Sequence, residues 1–187
     1  MLYLSAYTYL KKYILKIKLN FIVLAITLLS FSSAGVSQNE VYLFNSVPGK
    51  CSVVFPAQFT ENITEDDISK TYKASCSSDG MYFMVNARVY DLDAETEKIL
   101  EEQKEEMLQA TMENFNNNIK GEILHTVKSS NNGEEGKTST IAVGEKKVFY
   151  SVYIKGKIEY QVVIIEIEVG SLSDRSVNDF KNSFEIL

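Results

Sequence analysis

His125 is the one imidazole in the 187 residues. A serine or cysteine nucleophile that needs a base titrating near neutrality would depend on it. It sits in the alternating run Ile123-Leu124-His125-Thr126-Val127, on the side of Ile123 and Val127, and no G-x-S-x-G segment offers a nucleophile. A lone imidazole with no acid or nucleophile to orient it meets none of the geometric requirements of a catalytic site. A packed or strand-edge histidine is expected, and the chain reads as a non-enzyme. No catalytic, cofactor-binding or metal-ligating residue is assigned, and no cofactor is expected. An ordinary zinc site would need the thiols as well, and their pattern points elsewhere.

The two cysteines are Cys51 and Cys76. In an exported chain, which the first residues imply, such a pair invites a disulfide. Cys51, Val53 and Phe55 share one face of a strand ended by Pro56, while Tyr72, Ala74 and Cys76 share the apolar face of a second run. Laid antiparallel with Cys51 opposite Cys76, Val53 meets Ala74 and Phe55 meets Tyr72. A structural bridge between Cys51 and Cys76 is the expectation. Closing its loop of about 25 residues would stabilise by roughly 3–4 kcal/mol in the chain-entropy model. Two buried free thiols are the alternative.

The carboxylates offer less. Asp91, Asp93, Glu95, Glu97 and Glu102 fall at positions 1, 3, 5, 7 and 12 of a calcium loop, but Thr96 stands where glycine is required and Lys98 where an apolar residue belongs. The segment reads as a helix start, with Asp91 or Asp93 as cap and Glu95 and Glu97 suited to the positive end of the dipole. Glu65-Asp66-Asp67 is a surface cluster without the aromatic cleft that glycoside hydrolysis needs. Asn62-Ile63-Thr64 fits a glycosylation sequon. Tyr82, Tyr90 and Tyr153 fall on the less apolar strand faces; either they mark a binding surface or a helix covers them.

Charge is distributed unevenly. The net charge is −6, yet the first 37 residues hold Lys11, Lys12, Lys16 and Lys18 and no acid, which leaves 15 bases and 25 acids in the other 150. A body of net −10 argues against nucleic acid as a partner, and two arginines, Arg88 and Arg175, argue against a bidentate phosphate site. The basic start leads into the apolar run Phe21–Phe31 and then small residues Ser32 to Ser37. That is the order of a secretory signal. Residues 1–37 are expected to be a signal peptide, cleaved after Ser37 or after Ala34, and 38–187 a single α+β globular domain. An uncleaved anchor in the inner membrane is the alternative, although eleven apolar residues fall short of the roughly 20 of a spanning helix. Export to the periplasm or extracellular space follows, without stable membrane insertion of the mature chain.

A strand over Met81–Tyr90 follows the turn Ser78-Asp79-Gly80, so the first three strands read as a meander. Leu92 to Asn117 reads as one long helix whose stripe is Ile99, Leu100, Met107, Leu108, Thr111, Met112, Phe115 and Ile119, broken by Gln103 and Lys104. Four strands come next: Glu122–Ser129, Lys137–Val143, Lys147–Ile154 and Ile158–Val169. The last two are apolar in both phases and should form the sheet centre, covered on both faces or carrying a bulge near Val162. A short helix over Asp174–Asn182 ends the chain, anchored by Phe180, Phe184, Ile186 and Leu187.

Two short motifs carry a resemblance. Cys51-Ser-Val-Val-Phe55-Pro56, with Phe59, resembles the opening motif of PsbP-like and DcrB-like domains, and Asp179-Phe180-Lys-Asn-Ser183-Phe184 resembles their closing F-x-x-S-F. The resemblance spans about Val41 to Leu187. It implies an α+β sandwich: an antiparallel sheet of about seven strands packed by one long helix and a short C-terminal helix. A cystatin-like fold is the alternative. It also implies a small exported or lumenal accessory factor without a catalytic site. The functional expectation is an exported non-enzymatic accessory or binding domain for an envelope or extracellular protein. A carrier of an apolar small molecule or lipid, held between helix and sheet against Met81, Met84, Met107 and Met112, is the second reading. A hydrolase through His125 is the third.

Overall fold

The computed structural model describes residues 41–187. The expected leader and both cleavage points lie outside the described residues. The chain opens with β1 (Tyr42–Ser46) and β2 (Cys51–Phe55), then β3 (Thr60–Asp66), β4 (Ser69–Ser78) and β5 (Met81–Tyr90). Two helices follow, α1 (Ala94–Glu102) and α2 (Lys104–Ile119). Then come β6 (Glu122–Asn131), β7 (Glu134–Val143), β8 (Lys146–Lys155), β9 (Ile158–Glu166), α3 (Asp174–Ser183) and β10 (Glu185–Ile186).

Seven strands pair antiparallel in the order β3-β4-β5-β9-β8-β7-β6, and a small second sheet has the order β1-β2-β10. As expected, β8 and β9 lie at the centre, and β9 explains its double apolar phase. Ile158, Tyr160, Val162 and Ile164 belong to a core with the small sheet and α3, while Val163 belongs to the core beneath α2. Its pairing with β5 and β8 runs without interruption. The covered-on-both-faces reading holds, and the register slip falls instead in β6, between Ile123 and His125.

Tight turns set the hairpins. Asp79-Gly80 and Asn132-Gly133 both take positive φ at two consecutive residues, the pattern whose twist matches paired strands. The second turn is shorter than expected: Glu134, Glu135 and Gly136 are strand, not loop. Gly136 is required there, because a Cβ would land on the Tyr153 ring and the Val152 carbonyl. The long helix is two. Asp93 caps α1 by accepting from the Thr96 N–H at 2.8 Å, and the helix breaks at Gln103, whose φ of −106° and ψ of 16° leave helical values. Gln103 and Lys104 are the polar interruption of the stripe, and Lys104 turns to Glu134 of β7 at 3.2 Å.

The meander is corrected. β2 does not pair with β4; it pairs with β1 and β10, and β4 takes β3 and β5 as neighbours. The turn between β1 and β2 decides this: the Gly49 N–H donates to Ser46 Oγ at 3.0 Å, and a Cβ on Gly49 would fall 2.7 Å from Ala87 of β5. The hairpin is therefore seated on the main sheet, not woven into it.

The pairing that would set Cys51 opposite Cys76 is absent, and both are buried free thiols. Cys51 opens β2, near the Tyr160 phenol, whereas Cys76 has a main-chain hydrogen bond with Ala57, beyond the other end of β2. Burial pushes the Cys51 thiol up to about 12 and the Cys76 thiol to about 11, the Ala57 hydrogen bond partly opposing it at Cys76. Few thiolates form at neutral pH, so alkylation of the native protein should be slow. After denaturation without reductant, mass spectrometry should count two modified cysteines. An unmodified chain two hydrogens lighter would contradict this structure.

Candidate functional site

The residues singled out for chemistry do not converge. His125 is exposed on β6, an edge strand of the main sheet, while both thiols lie in the core between the main sheet and the small one. The slip in β6 also breaks the expected alternation: Thr126, not Val127, pairs with Ser139 on the side of Met112. The calcium-like carboxylates spread along a helix start as expected, with the Asp93 carboxyl held low by its hydrogen bonds from Thr96. The cluster at residues 65–67 is a set of hairpin pins. Glu65 pairs with Lys70 at 3.1 Å, and Asp66 accepts from the Ile68 N–H, Ser69 Oγ and Arg88 at 2.8–3.0 Å. Burial raises the Asp66 carboxyl, but these donors outweigh it and the carboxyl sits low. The tyrosines are covered: Tyr90 and Tyr153 are buried and Tyr82 packs against the core beneath α2.

The methionines of the apolar-carrier reading are divided between two cores. Met81 faces the other core, and the space between α2 and the sheet is filled by Met84, Leu108, Met112, Phe115 and Tyr150. Phe115 stacks on Tyr150 at 4.0 Å with an 8° interplanar angle.

That face also holds a polar row that the residue pattern did not reveal. Tyr90 donates to Glu159 at 2.9 Å, Gln161 donates to the other Glu159 oxygen at 2.5 Å, and Asn86 reaches Gln161 at 3.5 Å. Burial, then the Glu159 charge, pushes the Tyr90 and Tyr150 phenols well above their ordinary value. Glu159 is only 4% exposed, so the row pins β5 to β9 and meets no external substrate. The clue was available: Glu159 and Gln161 occupy the polar phase of a strand expected to be covered on both faces. At the far end of β9, Glu166 accepts from the main-chain N–H groups of Lys147, Gly170 and Leu172 at 2.6–3.0 Å. Burial raises its carboxyl, but these three donors hold it below the ordinary range.

Open surface chemistry gathers at the end of the sheet where β9 begins. A cleft of about 480 Å³ is lined by Pro48, Val89, Ile158 and Leu187 and by Lys50, Lys155 and Lys157, with Glu97 of α1 its one acidic side chain. Gly156 carries a positive φ of 53°, and a Cβ on it would stand 2.9 Å from Glu97 Oε1, so the turn leaves room for that carboxylate. Lys155-Gly156-Lys157 was legible as a turn; Lys50 and Glu97 come from distant segments, and no spacing announced them.

The two motifs at the ends of the domain meet. Phe55 packs against Phe59 at 5.0 Å and Phe180 at 5.2 Å, and Phe180 against Phe83 at 5.0 Å. Ser183 Oγ accepts from the Val54 N–H at 3.2 Å and can donate to the Phe180 carbonyl at 2.8 Å. The short helix is thereby clamped onto β2.

This antiparallel sheet, with helices on one face and a clamped small sheet and helix on the other, is a PsbP-like fold. The chain is similar to the solution structure of cyanobacterial PsbP (CyanoP) from Synechocystis sp. PCC 6803, with a TM-score of 0.53 and 12% identity over 84% of this chain and 98% of that one. No family model and no curated protein matches the chain. Among the described residues, no helix is long and apolar enough to cross a membrane.

Proposed function

We propose that this chain is an exported, non-enzymatic accessory domain that acts by binding another protein of the envelope or extracellular space. The observation that carries the reading is the fold: nearly the whole of the PsbP structure is matched by this chain, and accessory binding is what that resemblance implies. A fold alone does not specify a function. Support also comes from the basic–apolar–small order of residues 1–37 and from the isolation of His125, which has neither thiol near it.

Expression of the full chain with a C-terminal tag, fractionation and intact-mass measurement test the first half. The tagged product should leave the cytosol and have the mass of residues 38–187, or of 35–187. In-cell cross-linking followed by purification tests the second: one envelope or extracellular protein should be captured in constant ratio. A cytosolic product of full encoded mass would overturn the reading.

A further inference from the structure

We propose that the cleft at the start of β9 binds an acidic segment of a partner protein, seating an aliphatic side chain on Pro48, Val89 and Ile158 and its carboxylates on Lys50 and Lys157. The inference rests on the binding-domain reading and names the chemistry of the partner. Charge complementarity selects the occupant. Residues 38–187 carry a net −10, yet the side chains lining this cleft include three lysines and one carboxylate, with Leu187 beside Lys50 and Lys155. Lys155 is already engaged, with its Nζ 3.2 Å from the Leu187 carbonyl and 3.9 Å from Glu134. Among the described residues, Lys50 and Lys157 have no carboxylate oxygen within 4.0 Å. Two unneutralised ammonium groups beside apolar walls concentrate positive potential in the cleft.

The shape and the residue types select a segment over a small acid. Apolar and charged side chains lining one cleft are the anatomy of a protein interface. The lining holds no arginine, so no planar fork fixes the geometry of a single carboxylate; flexible ammonium groups suit carboxylates strung along a chain. Glu97, beside Gly156, repels an entering carboxylate.

The test is fluorescence anisotropy with a fluorescein-labelled decapeptide of alternating Glu and Leu, against the same peptide with Gln for Glu. The Glu peptide should bind and weaken with added salt, and the Gln peptide should bind at least about tenfold more weakly. Lys50→Glu with Lys157→Glu should cost the Glu peptide about tenfold or more, and Glu97→Gln should tighten it, with circular dichroism and unfolding midpoint unchanged. Undetectable binding, equal binding of both peptides, or indifference to the double reversal would overturn the proposal. Displacement of the peptide by decanoate at lower concentration than unlabelled peptide would also overturn it, in favour of a small amphiphilic acid. If the double-reversed chain still captures its envelope partner, the cleft proposal fails while the binding-domain reading stands.

Discussion

Phe184→Ala should remove about 3–5 kcal/mol of stability, the range for deleting a buried aromatic ring. Phe184 is 2% exposed, its ring centroid 6.1 Å from Tyr153 and 6.0 Å from Tyr160. The surroundings cannot readily collapse into the space. The Phe184 carbonyl accepts from Asn131 Nδ2 at 2.7 Å, the Ile186 N–H donates to Asn131 Oδ1 at 2.9 Å, and the Ile186 carbonyl accepts from Asn132 Nδ2 at 2.9 Å. The main chain is thus held at β10 while the ring is removed, so the cavity stays. Urea unfolding followed by far-ultraviolet circular dichroism reads the change; with no tryptophan, fluorescence is the poorer probe. Phe184→Leu keeps most of the volume and should recover more than half of the loss. A loss below about 1 kcal/mol for the alanine variant would mean that the closing motif does not hold the small sheet.

The same motif shows what the residue pattern could reveal. Phe180 on α3 and Phe184, the extended residue that caps its end, stand four apart, and both are buried. The hairpins from β6 to β9 were legible because each joins adjacent segments through a turn with Gly, and because the apolar phases of β8 and β9 demanded the centre. What failed was non-local or polar. β3, Thr60–Asp66, has one large apolar residue, Ile63, which is exposed. A solvent-washed edge strand carries no alternation, and its charges read as loop although charge is how edges are kept from pairing further. The partner of β2 was misjudged because alternation is satisfied equally by β1 or β4. The choice rests on the close approach of Gly49 to Ala87, which no spacing encodes. The expected disulfide was drawn from that same pairing. The cleft lysines were invisible for a related reason: Lys50, Glu97 and Lys155–Lys157 meet only after the strands are stacked.

Stability should fall steeply on the alkaline side, and the sign follows from groups buried in their neutral forms. Burial holds the Cys51 thiol up at about 12 and the Cys76 thiol at about 11, from an ordinary 9.0. It also raises the Tyr90, Tyr150 and Tyr160 phenols above 10.0. The unfolded chain releases these protons first, so between pH 9 and the raised values the native state holds more of them, and unfolding becomes more favourable as pH rises. Below the unfolded values both states are protonated and the contribution is complete. Each unit of separation is worth about 1.36 kcal/mol, so the two thiols alone tilt on the order of 6 kcal/mol against the fold by pH 12. That is comparable to the whole stability of a small domain. On the acid side the direction reverses: the lowered carboxyls of Asp66 and Glu166 stabilise above the ordinary carboxylate range, and that contribution is lost as pH falls through their folded values. Urea midpoints should therefore be level near neutrality and drop through the thiol and phenol range, with ultraviolet phenolate absorbance of the buried tyrosines appearing only as the protein unfolds. Replacing both cysteines with alanine should shallow the alkaline limb without moving the acid one. A midpoint constant to pH 11, or an unchanged limb in the double variant, would show that these thiols do not sit in the dry core where the structure places them.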